Sequence, residues 1–294
     1  MASGIKVSGL FIYPIKSCKG IPVERAALAP QGLLHDRMIM LVDEKGKFLS
    51  QRKAPRMALI EVDVDAALLM RPEKLECILR APGMDAFPLR WERDAYDAYK
   101  PHSVAQIWKD QVHTEDMGDA AAEWFAMFLG ISGCRLVRLR EDWNRTLEDG
   151  FVENPAAHVV SLADGYPLLL TSEESMKDLN EKIPAGTPGR PLHMDRFRPN
   201  VVVCGLERAW QEDGWRRIRI GADVVFQVPK PCARCKLPNT DQTTAMVGTE
   251  PLKTLLKERK FGAEVMFGQN LVHETNAGIL EVGAMVEILE EVSP

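Results

Sequence analysis

Two stretches share one pattern: IRIGADVVFQV, Ile218 to Val228, and LEVGAMVEIL, Leu280 to Leu289. Each reads apolar-x-apolar-Gly-Ala-x-Val-x-apolar. The alternation predicts strands with one buried face. A glycine inside such a pair suits a tight turn or a barrel bend. Working outward, Ile5 to Tyr13 predicts a strand that ends at Pro14. MIMLVDEKGKFLSQR predicts a hairpin: apolar Met38 to Val42, a turn at Lys45-Gly46, a return through Phe48 and Leu49. ALIEVDV, Ala58 to Val64, alternates like a further strand, and NVVVC, Asn200 to Cys204, reads as a short buried one. Helices are few. Asp119 is placed to cap a helix carrying Ala121, Trp124, Phe125 and Phe128 on one face, with its stop at Gly130. Thr171 and Glu174 have capping-box spacing before Met176, Leu179 and Ile183, and Pro184 opens the loop PAGTPGRP. A third helix is expected from Pro251, a favoured first helical position. Many short strands with few helices predict a β-barrel-like α+β fold rather than a doubly wound sheet.

The chain has 294 residues, long enough for two domains or for one domain with a large insertion. Its net charge of −5 argues against general nucleic-acid binding and leaves room for a local basic pocket that takes a small anion. No run of about 18 apolar residues is present, so no membrane-spanning helix is expected. The apolar patch Leu10 to Ile15 is broken by Pro14 and reads as a strand rather than a signal peptide. Six cysteines, dispersed except for Cys232 and Cys235, fit a reducing compartment better than a disulfide scaffold.

That pair lies in PKPCARCKLPNT, where Lys230, Arg234 and Lys236 crowd two thiols. Nearby cations favour a thiolate, which can bind a metal, attack an electrophile or carry sulfur. A thioredoxin-type site needs a helix after the pair, and Pro238 follows instead; a structural zinc site needs four ligands, and no second pair exists. Two structural thiols on a loop is the plain alternative. Three more cationic turns flank strands. YPIKSCKG offers Lys16, Ser17 and Lys19 with Gly20, a turn that suits a phosphate without Walker spacing. HDRMIMLV sets Asp36 and Arg37 at a strand mouth. MDRFRPNVVV sets Arg196, Arg198 and Asn200 before a buried strand, with Pro199 holding the approach extended. Each alone also reads as a solvated rim. The six tryptophans read as core and interface residues, and Glu173-Glu174 as helix-start chemistry. No Rossmann, nucleophile-elbow or zincin motif is present.

Taken in order, YPIKSCKG, DRMIMLV, CRLVRL, TSEESMKDLN, FRPNVVV, PCARCKL, MFGQN and LEVGAMVEIL resemble the MOSC-domain family with its MOSC N-terminal domain, nearest the amidoxime reducing component group. The resemblance covers nearly the whole chain. It implies an α+β fold in which residues 1–37 and 139–294 form a MOSC β-barrel, residues 38–138 form an inserted MOSC N-terminal-type domain, and a molybdenum cofactor (Mo-molybdopterin) lies in the cleft between them. It implies Cys235 as the thiolate on molybdenum, with Cys232 a neighbouring structural or redox-sensitive thiol. Lys16, Ser17, Arg37, Arg198, Asn200, Ala233 and Arg234 are the implied cofactor contacts. Gly165 and Tyr166 hold a family contact position with altered residue types, and Asn270 is a further one. Asp164 is expected near the open face of the metal as a proton donor.

The implied activity is reduction of N-hydroxylated compounds such as amidoximes and N-hydroxylamines: two electrons and two protons remove one oxygen as water. Nitrite reduction to nitric oxide is a further expectation. Electrons are expected from cytochrome b5 and its NADH-dependent reductase. A family anchor precedes the first strand in animal members, and this chain, starting just before that strand, is expected to be cytoplasmic. Two rival readings follow from the same cysteine: a sulfur carrier or sulfurtransferase with a persulfide on Cys235, and a carrier of molybdenum cofactor.

Overall fold

The computed structural model describes residues 4–92, 102–147, 152, 158–275 and 277–292. Its largest sheet runs Ile21–Val23, Lys6–Ile12, Val201–Cys204, Leu168–Ser172, Glu264–His273, Val224–Gln227, Trp215–Ile220 and Val286–Glu291. The first strand therefore pairs across almost the whole chain, Leu10 opposite Val201 and Lys6 opposite Cys204. Leu168–Ser172 and Val201–Cys204 run parallel, so a crossover must join them, and helix Glu173–Lys182 supplies it. Both strands are buried on both faces, which is why their sequences are apolar runs without alternation. A second sheet holds Ile39–Val42, Arg135–Leu139, Asp110–Asp116 and His102–Ile107, and Glu61–Asp63, Lys74–Arg80 and Phe87–Glu92 form a third. One apolar core runs from Val7 and Leu10 through Leu41, Leu79 and Phe125 to Trp215, Phe226 and Leu271. The fold is mainly β with few helices, as the strand count predicts.

The repeated pattern resolves in two ways. IRIGADVVFQV is a hairpin, Ile220 opposite Val224, with Gly221 left-handed at φ 69°. Its echo is not. Ile279–Glu281 pairs with Arg25–Ala29, and Val286–Glu291 pairs with Trp215–Ile220, so Gly283 turns the chain between two sheets. Four local expectations also shift. Gly118 stands at the N-cap of helix Asp119–Leu129, and Asp119 instead pairs with Arg135 at 2.7 Å. Ser172, not Thr171, caps the next helix by accepting from the Ser175 N–H, while Glu174 accepts from Gly205 N at 2.8 Å. Tertiary contact has taken Glu174 from the expected capping box, and Thr171 lies in the strand opposite Val202 with its hydroxyl unpartnered among the described residues. Pro251 precedes helix Leu252–Glu258 as its cap. Pro55 opens a 3-10 turn over Pro55–Leu59, leaving only Glu61–Asp63 of the Ala58 to Val64 stretch as strand.

Candidate functional site

Non-glycine residues seldom take positive φ, because Cβ then crowds the backbone. Seven do so among the described residues, and four of them, Ser17 (70°), Arg37 (50°), Trp108 (54°) and Arg198 (58°), line one cleft of about 280 Å³. Strain of this kind persists only where the surroundings over-determine it. Here the backbone does so: Lys16 N donates to Ile39 O at 2.7 Å and Arg37 N to Tyr13 O at 2.7 Å. The turn after the first strand is thereby tied to the strand mouth at Ile39.

Cys235, Asp164 and every residue expected to contact the cofactor line this cleft, whereas Lys19 turns away to Glu61 and Arg196 to Asp241. Lys16, Ser17 and Arg37 come from the two early turns, and Asp164, Gly165 and Tyr166 from the loop after Val159–Val160. Arg198 and Asn200 arrive on the approach to Val201, Ala233, Arg234 and Cys235 on the thiol loop, and Asn270 on the long strand Glu264–His273. The structure adds Phe48, Ser50, Arg52 and Trp108 from the N-terminal half, and Lys230 and Cys232 of the thiol stretch line it as well. Trp108 is 43% exposed rather than core. Its signal was available: it opens the short turn between His102–Ile107 and Asp110–Asp116, where small polar residues are usual.

Asp36 anchors the cationic wall from beneath. It is buried, accepts from Tyr13 N at 2.9 Å and pairs with Arg37 at 2.5 Å. Arg37 in turn donates to Asn200 Oδ1 (3.1 Å) and to Arg198 O (3.0 Å). Asn200 takes Leu169 N and gives to Phe11 O. Arg37 and Asn200 thus spend much of their capacity on the protein and hold Arg198 in place. The Arg37 and Arg198 guanidinium carbons lie 4.4 and 4.3 Å from the centre of the Tyr13 ring. Arg198 itself keeps a buried Nη2 with no hydrogen-bond partner among the described residues, and Arg234 a buried Nε in the same condition. Burial pulls Arg198 down to about 10, with Tyr13 acting against that and Arg37 adding to it. A buried cation with an unspent donor is costly until an anion meets it.

The thiols divide. Arg234 Nη1 donates to Cys232 Sγ at 3.2 Å, so the nearest cation serves Cys232 and not Cys235. Lys230 lies 5.4 Å over the Tyr166 ring. Cys235 is exposed, and its sulfur accepts only from Leu237 N, at 3.5 Å. Cys18, buried under the first turn, is pushed up to about 12 by that burial and is inert by comparison. Among the described residues no group of three or more His, Cys, Asp or Glu is placed to hold a metal ion. A metal on Cys235 therefore needs most of its ligands from a cofactor, and the unspent Arg198 and Arg234 donors fit an anionic one.

Lys16 Nζ and Asp164 Oδ1 are 2.6 Å apart, and Trp108 Nε1 donates to the same oxygen at 3.1 Å. Desolvation at the cleft raises Asp164, although its side chain stays 64% exposed, but the Lys16 charge and hydrogen bond hold the carboxyl well below its usual range. Burial lowers Lys16 in spite of Asp164. Asp164, the expected proton donor, lies in the cleft as the partner of Lys16 and Trp108. Arg145 fixes that loop by donating to the carbonyls of Ala163 and Asp164.

The MOSC N-terminal beta barrel domain matches residues 4–132 and the MOSC domain residues 157–287. Mitochondrial amidoxime reducing component 2 of Macaca fascicularis is 32% identical over 259 residues, covering 86% of this chain and 72% of that protein. Molybdenum cofactor sulfurase of Anopheles gambiae is 33% identical over 268 residues, covering 88% of this chain. The chain spans about a third (33%) of the length of that sulfurase. Among solved structures, the YUAD protein of Bacillus subtilis aligns over 97% of this chain and 94% of its own, with 10% identity and a TM-score of 0.40. No helix of the described residues is long and apolar enough to cross a membrane. With both domains matched in order and a reducing-component relative aligned over most of its length, the chain belongs to the MOSC-domain family that carries the MOSC N-terminal domain.

Proposed function

We propose that this chain is a molybdenum-cofactor-dependent reductase of N-hydroxylated compounds, amidoximes and N-hydroxylamines among them. The observation that supports it most is the cleft itself: an exposed Cys235 thiol faces walls that carry buried arginine donors with nothing to bind. In this reading Cys235 is the protein ligand to molybdenum. Arg198, Arg234, Ser17 and the backbone at Ala233 hold the anionic pterin and its phosphate, with Gly165, Tyr166 and Asn270 closing the wall. Arg37 and Asn200 keep Arg198 aimed. Once bound, the cofactor would supply the two-electron redox chemistry for removing the oxygen, which leaves as water with two protons. Lys16, paired with Asp164, is the protein group that holds a proton at the cleft.

The pairing of Lys6–Ile12 with Val201–Cys204 supports counting residues 1–37 with 139–294 as one barrel and 38–138 as the inserted part. Electrons arrive from outside, from a cytochrome b5 and its NADH-dependent reductase, in the cytoplasm.

Molybdenum content of the wild type and of Cys235→Ala, measured alongside reduction of benzamidoxime by an artificial donor, tests the proposal. Stoichiometric molybdenum with turnover that the variant loses supports it. A wild type free of molybdenum after expression in a cofactor-competent host overturns it, and cyanide-labile sulfur on Cys235 then favours the sulfur-carrier reading.

A further inference from the structure

Two turns of the N-terminal half build an aromatic corner at the edge of the cleft. Phe48 follows the Asp43–Lys47 turn, and Trp108 follows the strand His102–Ile107. Their ring centres are 5.1 Å apart at 54°. The backbone locks them together: Phe48 N donates to Gln106 O, Gln106 N to Gly46 O, and Gln106 Nε2 to Trp108 O. Trp108 is both strained (φ 54°) and 43% exposed. Hydrogen bonds to Trp108 O and from Trp108 Nε1 hold this conformation and present the half-exposed ring at the edge of the cleft.

Cations surround the corner. The Arg52 guanidinium lies 4.3 Å from the Trp108 ring and 5.7 Å from Phe48. It makes one long hydrogen bond, 3.3 Å to Ser50 Oγ, and has no carboxylate partner among the described residues. Lys47 has none either, and Lys53 reaches Asp43 only at 3.8 Å. Lys47 and Lys53 line a second cleft of about 430 Å³, which shares Phe48, Ser50, Arg52 and Trp108 with the cleft that holds Cys235. In a chain of net charge −5, unanswered positive charge on an aromatic wall calls for a reason.

The geometry points to a substrate subsite for a planar aromatic group that bears a carboxylate. The flat ring lies on the Phe48–Trp108 corner, and the carboxylate meets Arg52 and Lys47. The reacting end extends into the shared cleft toward Cys235. An arginine held over an indole and without a carboxylate partner among the described residues suits an anion carried on an aromatic ring. A concave pocket continuous with the reacting cleft favours a small ligand over a flat protein contact. This inference rests on the reductase reading and names its substrate class.

The test uses the cofactor-loaded full chain and three benzamidoximes, carrying a 4-carboxylate, no substituent or a 4-trimethylammonium group, reduced by an artificial donor. The carboxylate is expected to exceed the cation by about tenfold in kcat/KM, with the difference in KM. Arg52→Gln is expected to erase most of that ratio, and Trp108→Leu to weaken every ring probe about fivefold. A second arm measures calorimetric binding of 4-carboxybenzamidine, which cannot be reduced, against benzamidine. Tighter binding of the carboxylate, lost in Arg52→Gln, supports the subsite even where turnover fails, and in that case the reductase reading falls alone. Equal affinities in the wild type overturn the subsite even where turnover is seen. So does a result in which Arg52→Gln slows only reduction driven by a protein electron donor, since the patch would then be a docking surface.

Discussion

Gln51 and Gln242 face each other in the interior, one from the N-terminal half and one from the barrel half. Gln51 Nε2 donates to Ser17 O and to Gln242 Oε1, both at 2.8 Å, while Gln242 Nε2 donates to Gln51 Oε1 at 2.9 Å and to Thr240 O at 3.0 Å. The amide orientations are forced, because the outer partners are both carbonyls and accept only from nitrogen. Gln51→Leu strips a donor from Ser17 O and from Gln242 Oε1, and an acceptor from Gln242 Nε2. At about 1–3 kcal/mol for each buried group left unpaired, and allowing for relaxation, the loss is about 3 kcal/mol. Gln242→Leu is expected to cost a similar amount. The double variant carries no amide to strand and leaves only the Ser17 and Thr240 carbonyls open. Its loss is therefore also about 3 kcal/mol rather than the sum of the two, a coupling well above the few tenths found for independent sites. Urea unfolding of the four chains reads the cycle directly. Additive losses would refute the closed-ring argument. Because Ser17 is held at φ 70° by this contact, Gln51→Leu is also expected to lower retained cofactor, and the double variant, which still lacks the donor to Ser17 O, is not expected to recover it.

Further outcomes follow from single sites. Gly268 sits at φ 80°, and a Cβ there would lie 2.7 Å from Leu170 O, so Gly268→Ala is expected to cost about 3 kcal/mol, read as a fall of several degrees in Tm. His273 is buried, and that burial, with His158 adding to it, pushes its ring down to about 4, against the Ala29 and Pro30 carbonyls that face the ring as acceptors. The unfolded chain binds this proton first, so stability is expected to fall as pH drops from about 6.5 toward 4; the wild type should lose about 2–3 kcal/mol more than His273→Gln between pH 7 and pH 4. Arg145→Lys keeps the charge beside Asp110 but lacks the fork that reaches both the Ala163 and Asp164 carbonyls. It is expected to reduce kcat through the displaced Asp164 loop while Arg145→Met also lowers Tm.

The strands were legible because burial wrote them as apolar runs or alternations. Val201–Cys204 and the Ile218 to Val228 hairpin are where the pattern puts them. Pairing was not legible. LEVGAMVEIL carries the same letters as its partner stretch, yet its two halves join different sheets, since alternation fixes which face is buried and not which strand lies alongside. Caps failed for a related reason. A capping box is a local bargain, and Glu174 found a better acceptor role at Gly205 N, 31 residues along the chain from any local signal. At the site, residue types that bind anions were visible as short cationic turns, but each turn alone looked like a solvated rim. Phe48, Arg52 and Trp108 stayed hidden because hydrophobic and cationic residues near a hairpin are ordinary until the cleft beside them is known.

Conformation is what the sequence did not show at the four left-handed cleft residues, three of which its motifs had named. Ser17, Arg37, Trp108 and Arg198 hold a left-handed backbone without being glycine. A glycine at any of these positions would remove the strain and also the side chain that the cleft uses. The fold instead keeps the side chain and meets the cost with hydrogen bonds: Gln51 on Ser17 O and Arg37 on Arg198 O from afar, the Leu162 N–H on Arg37 O, and Gln106, two residues before it, on Trp108 O. An arginine gripped in this way, Arg198, cannot relax toward its own buried carbonyls, and its buried Nη2 stays without a partner among the described residues at the wall of the cleft. Preorganisation for an anion and local backbone strain are, in this site, the same structural fact.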